Sequence, residues 1–147
     1  MIISEFKGEY FYLSNFSQHS ITYNGIIFAT VEHFFQACKT LDKMEQQQII
    51  LAPKPKDAKD LGAIATLRPD WEDVKLKLLQ WAIFLKFTQN IRINKQLLAT
   101  GDDILIEGNY WHDCEYGNCT CSRCIDIEGQ NKLGKILMFT RFKLRNG

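Results

Sequence analysis

The stretch from Asp70 to Thr88 constrains the fold most, because it couples a helix start to a long apolar period. Asp70 stands at the N-cap position, and Glu72 and Asp73 occupy the first turn, where the helix dipole favours anions. Trp71, Val74, Leu78, Trp81 and Leu85 then recur on one face, which predicts a helix running to about Thr88. Further helices are expected from Pro55 to Leu61, closed by Gly62, and from Ile91 to Ala99. A last helix begins near Asn131. Its apolar positions Leu133, Ile136, Leu137 and Phe139, with Met138 and Leu144, predict a largely buried segment ending in the basic stretch Arg141 to Arg145.

The first thirty residues read as β-structure. Ile21-Thr22-Tyr23 and Ile26-Ile27-Phe28 flank Asn24-Gly25, a dipeptide that accepts positive φ in a tight hairpin turn. Ile104 to Glu107 reads as a short strand before an irregular loop. Helices outnumber strands, so the expected class is α+β. With 147 residues, 46% of them hydrophobic, no internal repeat and only the short connector Ala52-Pro53-Lys54-Pro55 rich in proline, residues 1–147 are expected to form one mainly helical domain with a small N-terminal hairpin.

The charge balance excludes some function classes. Eighteen basic residues against seventeen acidic ones create no net field for non-specific binding to nucleic acid or an anionic membrane. No apolar run approaches the roughly 18 residues of a membrane span, and the start MIISEFKGEY lacks a basic segment followed by an apolar one, so a cytoplasmic protein is expected. Five cysteines without a secretion signal read as thiols or metal ligands rather than a disulfide framework.

Three segments carry candidate chemistry. Thr30 can cap a helix from Val31 to about Thr40, on which Glu32, Gln36 and Lys39 fall at i, i+4 and i+7. They can converge on one ligand in a cleft, or form a solvated stripe with a Glu–Lys pair. In Leu13-Ser14-Asn15-Phe16, Asn15 can hold a ribose hydroxyl or satisfy backbone in a turn. Trp71 can pack in the core or stack on a flat base. The loop Glu107 to Gly117 gathers three aromatic rings, three acids and two glycines, and its Asp113 is a candidate second carboxylate whose alternative role is an Asx-turn. His33 is expected to be structural.

Just beyond, Cys119, Cys121 and Cys124 place three thiols within six residues, with His112 and Cys114 upstream. A tetrahedral zinc site needs four such ligands, and these residues can supply them and staple the loop that presents Asp113; the alternative is free thiols in a surface turn.

Taken in order, these segments resemble the NADAR family. The resemblance runs through Phe11-Tyr-Leu-Ser-Asn-Phe16, Tyr23-Asn-Gly25, Thr30-Val-Glu-His33 with Gln36-Ala-Cys-Lys39, Asp57-Ala-Lys-Asp-Leu-Gly62 and Leu67-Arg-Pro-Asp-Trp71. It continues through Lys86-Phe87 with Gln89-Asn90, Leu97-Leu-Ala-Thr-Gly-Asp102, Asp113 with Tyr116-Gly117, and Gly129 with Asn131-Lys-Leu-Gly134 and Met138. It implies a largely helical α+β fold and hydrolysis of ribosyl C1–N bonds, in phosphorylated ribosylamino-pyrimidine intermediates of riboflavin synthesis or in ADP-ribosylated guanine, including guanine in nucleic acid. It implies that Glu32 and Asp113 are the catalytic acids and that Trp71 lies against the substrate. Asn15, Lys39, Lys59, Asn90 and Asn131 follow as ligand contacts, with Gln36 beside them. Tyr116-Gly117 stands where the family usually shows Trp-Gly, which alters the stacking surface there.

The chemistry this implies runs through an oxocarbenium-like state, with one carboxylate stabilising C1 or activating water and a donor assisting the departing nitrogen. Glu32, near a helix N-terminus, suits the ionised role. No cofactor is needed for such a reaction, and any zinc is structural. A module that binds ADP-ribose without cutting it is the competing reading, and the pair Glu32 and Asp113 argues against it; a third is a zinc-stabilised interaction domain.

Overall fold

The computed structural model describes residues 1–147. In chain order the elements are β1 (Ile2–Ile3), a 3-10 helix (Gly8–Leu13), β2 (Ile21–Tyr23), β3 (Ile26–Phe28), α1 (Val31–Ala37), α2 (Lys43–Ile50), α3 (Pro55–Ile64), α4 (Trp71–Gln89), α5 (Ile91–Ala99), β4 (Ile104–Leu105), β5 (Gly108–Asn109), β6 (Asn118–Cys119) and α6 (Lys132–Asn146). The class is α+β, as the sequence implies. The chain divides into two compact units, Asn15–Asn90 and Met1–Ser14 with Ile91–Gly147. No helix is long and apolar enough to cross a membrane.

In the unit Asn15–Asn90, β2 and β3 pair antiparallel with Thr22 opposite Ile27, and the turn residues Asn24 and Gly25 both take positive φ, 51° and 77°. That conformation matches the twist of the strands it joins. Thr30 caps α1 by accepting the His33 N–H, at 3.1 Å. The helix ends at Ala37, short of the expected Thr40. Beyond Cys38 the chain turns, because the Lys39 carbonyl accepts the Arg68 N–H at 2.7 Å and the buried Thr40 hydroxyl donates to Glu45 at 2.7 Å.

Helix α2 was not expected from the sequence, although Asp42 accepts the Glu45 N–H at 2.9 Å in the capping pattern Asp-x-x-Glu. Helix α3 continues through Gly62 instead of ending there. Its glycine serves a close approach to α1: a Cβ at position 62 would lie 1.9 Å from Gln36 Oε1.

Helix α4 begins and ends as expected, but two details differ. Asp70 makes no side-chain cap and instead pairs with Arg68, Nε to Oδ1 at 2.6 Å. The buried face is Leu79, Ala82, Ile83, Lys86 and Phe87, with Trp71 at the start, while Trp81 is exposed and stacks on Phe84. Apolar residues wrap more than half of this helix, so the period alone does not single out the stripe that the core selects.

In the unit formed by Met1–Ser14 and Ile91–Gly147, the opening segment is less β-like than expected. Gly8 takes φ 58° and starts the 3-10 helix, which buries Tyr12 and Leu13 and brings the Tyr12 hydroxyl to the Gln96 carbonyl at 3.1 Å. Strand β1 pairs in parallel with β4, Ile2 opposite Ile104. Helix α6 buries Leu133, Ile136 and Leu137, but Phe139 is exposed. Arg141, expected in a basic end, is buried and donates to Thr100 Oγ1 at 2.8 Å.

Candidate active site

Within the unit Asn15–Asn90, the candidate residues gather on and around α1. Glu32 and Gln36 lie one turn apart on its inward side, 7% and 4% exposed, so the stripe is not solvated. The Gln36 amide Nε2 donates to Glu32 Oε1 at 2.8 Å. Burial pushes the Glu32 carboxyl above the usual carboxylate range, and the Gln36 hydrogen bond, then the Lys59 and Lys39 ammonium groups, with His33, pull it back toward ionisation. Burial lowers the Lys39 ammonium, Glu32 opposes that shift, and Lys59 and Lys75 reinforce it. A carboxylate so placed is a poor permanent ion. It is suited to take a proton or to face a developing cation.

Other residues of this unit hold the helix in place. Asn15 lies in a turn, where its carbonyl accepts the Glu32 N–H at 3.1 Å and so satisfies a first-turn donor of α1. Trp71 is buried, its ring centroid 5.0 Å from that of Phe35. The Asn90 amide donates to the Lys86 and Ser20 carbonyls at 2.8 and 3.2 Å, ending α4. His33 is fully buried between the Thr30 hydroxyl at Nδ1, 2.8 Å away, and the Ala52 carbonyl at Nε2, 3.0 Å away, which is the structural role expected of it.

Within the other unit, Asp113 lies in a loop built from side-chain contacts to backbone. Its Oδ1 accepts the N–H groups of Glu115 and Tyr116 at 3.1 and 2.9 Å, the geometry of an Asx-turn. Asn109, buried and absent from the sequence expectations, grips Asp113 from both sides: Oδ1 accepts the Asp113 N–H at 3.2 Å and Nδ2 donates to the Asp113 carbonyl at 2.8 Å. A buried amide between Gly108 and Tyr110 was the available signal.

The carbonyls of Cys114, Glu115, Tyr116 and Gly117 accept the N–H groups of Gln130, Lys132, Leu133 and Asn131, so the loop satisfies the start of α6. Gly117 packs on Glu107, where a Cβ would lie 1.9 Å from Oε2. Asn131 takes φ 49°, and its amide bridges the Leu105 carbonyl and the Glu107 N–H at 2.9 and 3.0 Å.

His112, Cys119, Cys121 and Cys124 converge, with one ligand atom from each within 4.8 Å of the others. His112 takes φ 71°, a left-handed conformation, and its Nδ1 lies 3.2 Å from Cys121 Sγ and 3.5 Å from Cys124 Sγ. Its backbone N–H points at Cys119 Sγ, 3.3 Å away. Of the two upstream candidates, His112 completes the group, and Cys114 lies beside Cys124. Three thiols and one imidazole match the donor set of a tetrahedral structural zinc.

The NADAR domain model matches residues 3–145. The chain belongs to the NADAR family. Among its relatives, an N-glycosidase of Nostoc punctiforme is 38% identical over 138 residues, covering 90% of this chain and 85% of that protein. N-glycosidase YbiA of Escherichia coli is 34% identical over 137 residues, covering 89% and 79%. A riboflavin biosynthesis protein of Vibrio vulnificus is 34% identical over 136 residues, covering 91% of this chain and 35% of that protein. The NMR structure of YbiA superposes with a TM-score of 0.85 at 30% identity, covering 99% of this chain and 84% of that one.

Proposed function

We propose that this chain is an N-glycosidase that hydrolyses the bond between ribose C1 and a nitrogen, and that its substrate is a phosphorylated ribosylamino-pyrimidine. The observation that carries this reading is Glu32: a buried carboxylate on α1, hydrogen-bonded to Gln36 and faced by Lys59 and Lys39. Glu32 activates water or stabilises the cationic C1 as the C1–N bond breaks. The water oxygen bonds to C1, its proton passes to the Glu32 carboxylate, and the C1–N bond pair leaves with the nitrogen, which takes up that proton and restores the carboxylate. Lys39 and Lys59 supply positive charge for the substrate phosphate.

Asp113 is the second acid on the strength of the family resemblance, with its Oδ1 committed to the loop and Oδ2 left for ribose hydroxyls or proton transfer. The choice of a pyrimidine intermediate rests on the relative named as a riboflavin biosynthesis protein. Incubating the protein separately with the phosphorylated ribosylamino-pyrimidine and with ADP-ribosylated guanine, and resolving the products, tests it. Release of base from the first is expected; release from the second alone overturns the substrate assignment, and release from neither overturns the activity.

The group His112, Cys119, Cys121 and Cys124 holds one structural zinc, which takes no part in bond cleavage. Elemental analysis of protein purified without added metal is expected to give one zinc per chain. Its absence removes the site.

A further inference from the structure

Gly62 and Gln36 meet where α3 packs on α1, and the contact fixes which way the Gln36 carboxamide points. A Cβ at position 62 would stand 1.9 Å from Gln36 Oε1, 2.8 Å from its Cδ and 3.0 Å from its Cβ, so only glycine leaves room for this side chain. Oε1 is buried and accepts no hydrogen bond. A buried amide oxygen without a donor is uncommon and calls for a reason. The reason lies at the other end of the amide, where Nε2 donates to Glu32 Oε1 at 2.8 Å. Turning the amide over would set two oxygens against each other and lose that bond.

We propose that Gln36, seated by Gly62, is the positioning residue that holds the Glu32 carboxylate oriented and ready to accept a proton. This rests on the reading of Glu32 as the catalytic carboxylate. The helix spacing brings residues 32 and 36 together, and the amide has no second outlet. The titratable groups that act on Glu32 are Lys59 of α3 and, from its own segment, Lys39 and His33, while Lys75 of α4 acts on Lys39. None of these supplies the directional N–H that Gln36 does. An N–H donated to a carboxylate favours its charged form, so losing it raises the pH at which Glu32 ionises.

The test is a double-mutant cycle of Gln36→Ala and Gly62→Ala, with Gln36→Met and Glu32→Gln beside it. Carboxyl titration of Glu32 by NMR is read in each folded variant that retains it, together with kcat, KM and the acid limb for base release from the phosphorylated ribosylamino-pyrimidine. Gln36→Met keeps most of the stem volume without the N–H, so it remains informative if Gly62→Ala perturbs folding. In Gln36→Met and Gly62→Ala, the Glu32 titration and the acid limb are expected to move to higher pH, with kcat down about tenfold and KM little changed. Gly62→Ala is expected to add much less in the Gln36→Ala background, because the amide it displaces is gone and only the 3.0 Å approach to the position-36 Cβ remains.

An unmoved titration in Gln36→Met overturns the proposal, as does a Gly62→Ala penalty that persists in full without Gln36. A folded Glu32→Gln variant at the wild-type rate sinks the catalytic reading of Glu32. An inactive Glu32→Gln with an unmoved titration in the Gln36 variants sinks the positioning role alone.

Discussion

Around Glu32 the polar side chains ride on packed helices, whereas around Asp113 they take the place of secondary structure. Glu32 and Gln36 are held by where α1 sits, and α1 is fixed by Thr30, His33 and the approach of α3 at Gly62. From residue 107 to 131 only two two-residue strands form, and shape comes from Asn109, the Asp113 carboxylate, Asn131 and the convergence of His112 with three cysteines. The first arrangement derives its rigidity from helix packing, with Val31 and Phe34 buried beside the Thr30 and His33 contacts. The second derives it from hydrogen bonds and, on the proposal above, from a metal, so it should be breakable by chemistry that leaves the helices alone.

The largest way to separate the two regions is to replace Cys121 and Cys124 together by serine. Losing a structural zinc removes several kcal/mol of local stability, since metal binding and folding are one process at such sites. Hydrogen exchange should rise across residues 107–131 and stay unchanged in α1 and α4. Uniform loss of protection would show that the two regions unfold as one.

Lys86 sharpens the comparison from the helical side. Burial within α4 lowers its ammonium pKa to about 7. The unfolded chain keeps its proton up to the ordinary lysine range near 10.5, so between these values it binds more protons than the folded one. Stability therefore rises with pH across that window, by up to about 1.4 kcal/mol per pH unit, and below it the full cost of burying the charge remains. Denaturant unfolding of wild type and Lys86→Met should show the wild type gaining on the variant as pH rises from 7 to 10 (roughly 3 kcal/mol in all). A parallel pair of curves would mean the site is solvated.

Asp113→Ala removes an anionic acceptor from two backbone N–H groups and should cost about 2 kcal/mol. Thermal unfolding checks the amount, and a variant as stable as wild type would show that Asn109 and the backbone contacts to α6 hold the loop without the carboxylate. Thr30→Ala removes the α1 cap and a partner of His33, and is expected to cost about 1 kcal/mol. A larger loss would make the buried histidine network, not the cap, the main anchor of α1.

What the sequence disclosed follows the same division. Asn24-Gly25, the Thr30 cap and the span of α5 were legible because each depends on a few neighbouring residues. Gly62 reads as a helix stop, since a glycine needed for contact with a distant side chain looks the same in sequence as one needed for positive φ. The inward face of α4 is not legible from its period, because apolar residues surround the helix and the choice is made by what packs there. Helix α2 carried its Asp42-x-x-Glu45 signal but little apolar period. In the cysteine-rich loop the donor types are evident, but the convergence of His112 on the cysteines goes with a left-handed backbone at His112, which no spacing rule encodes.

The proposed cleavage depends on the Glu32 carboxylate, and base release from the phosphorylated ribosylamino-pyrimidine by folded Glu32→Gln tests it most directly. The amide keeps the shape of the side chain and cannot accept the proton, so the rate should fall by about 10² to 10⁴ with thermal stability retained. A Glu32→Gln protein that melts like wild type and releases base at the wild-type rate would contradict it.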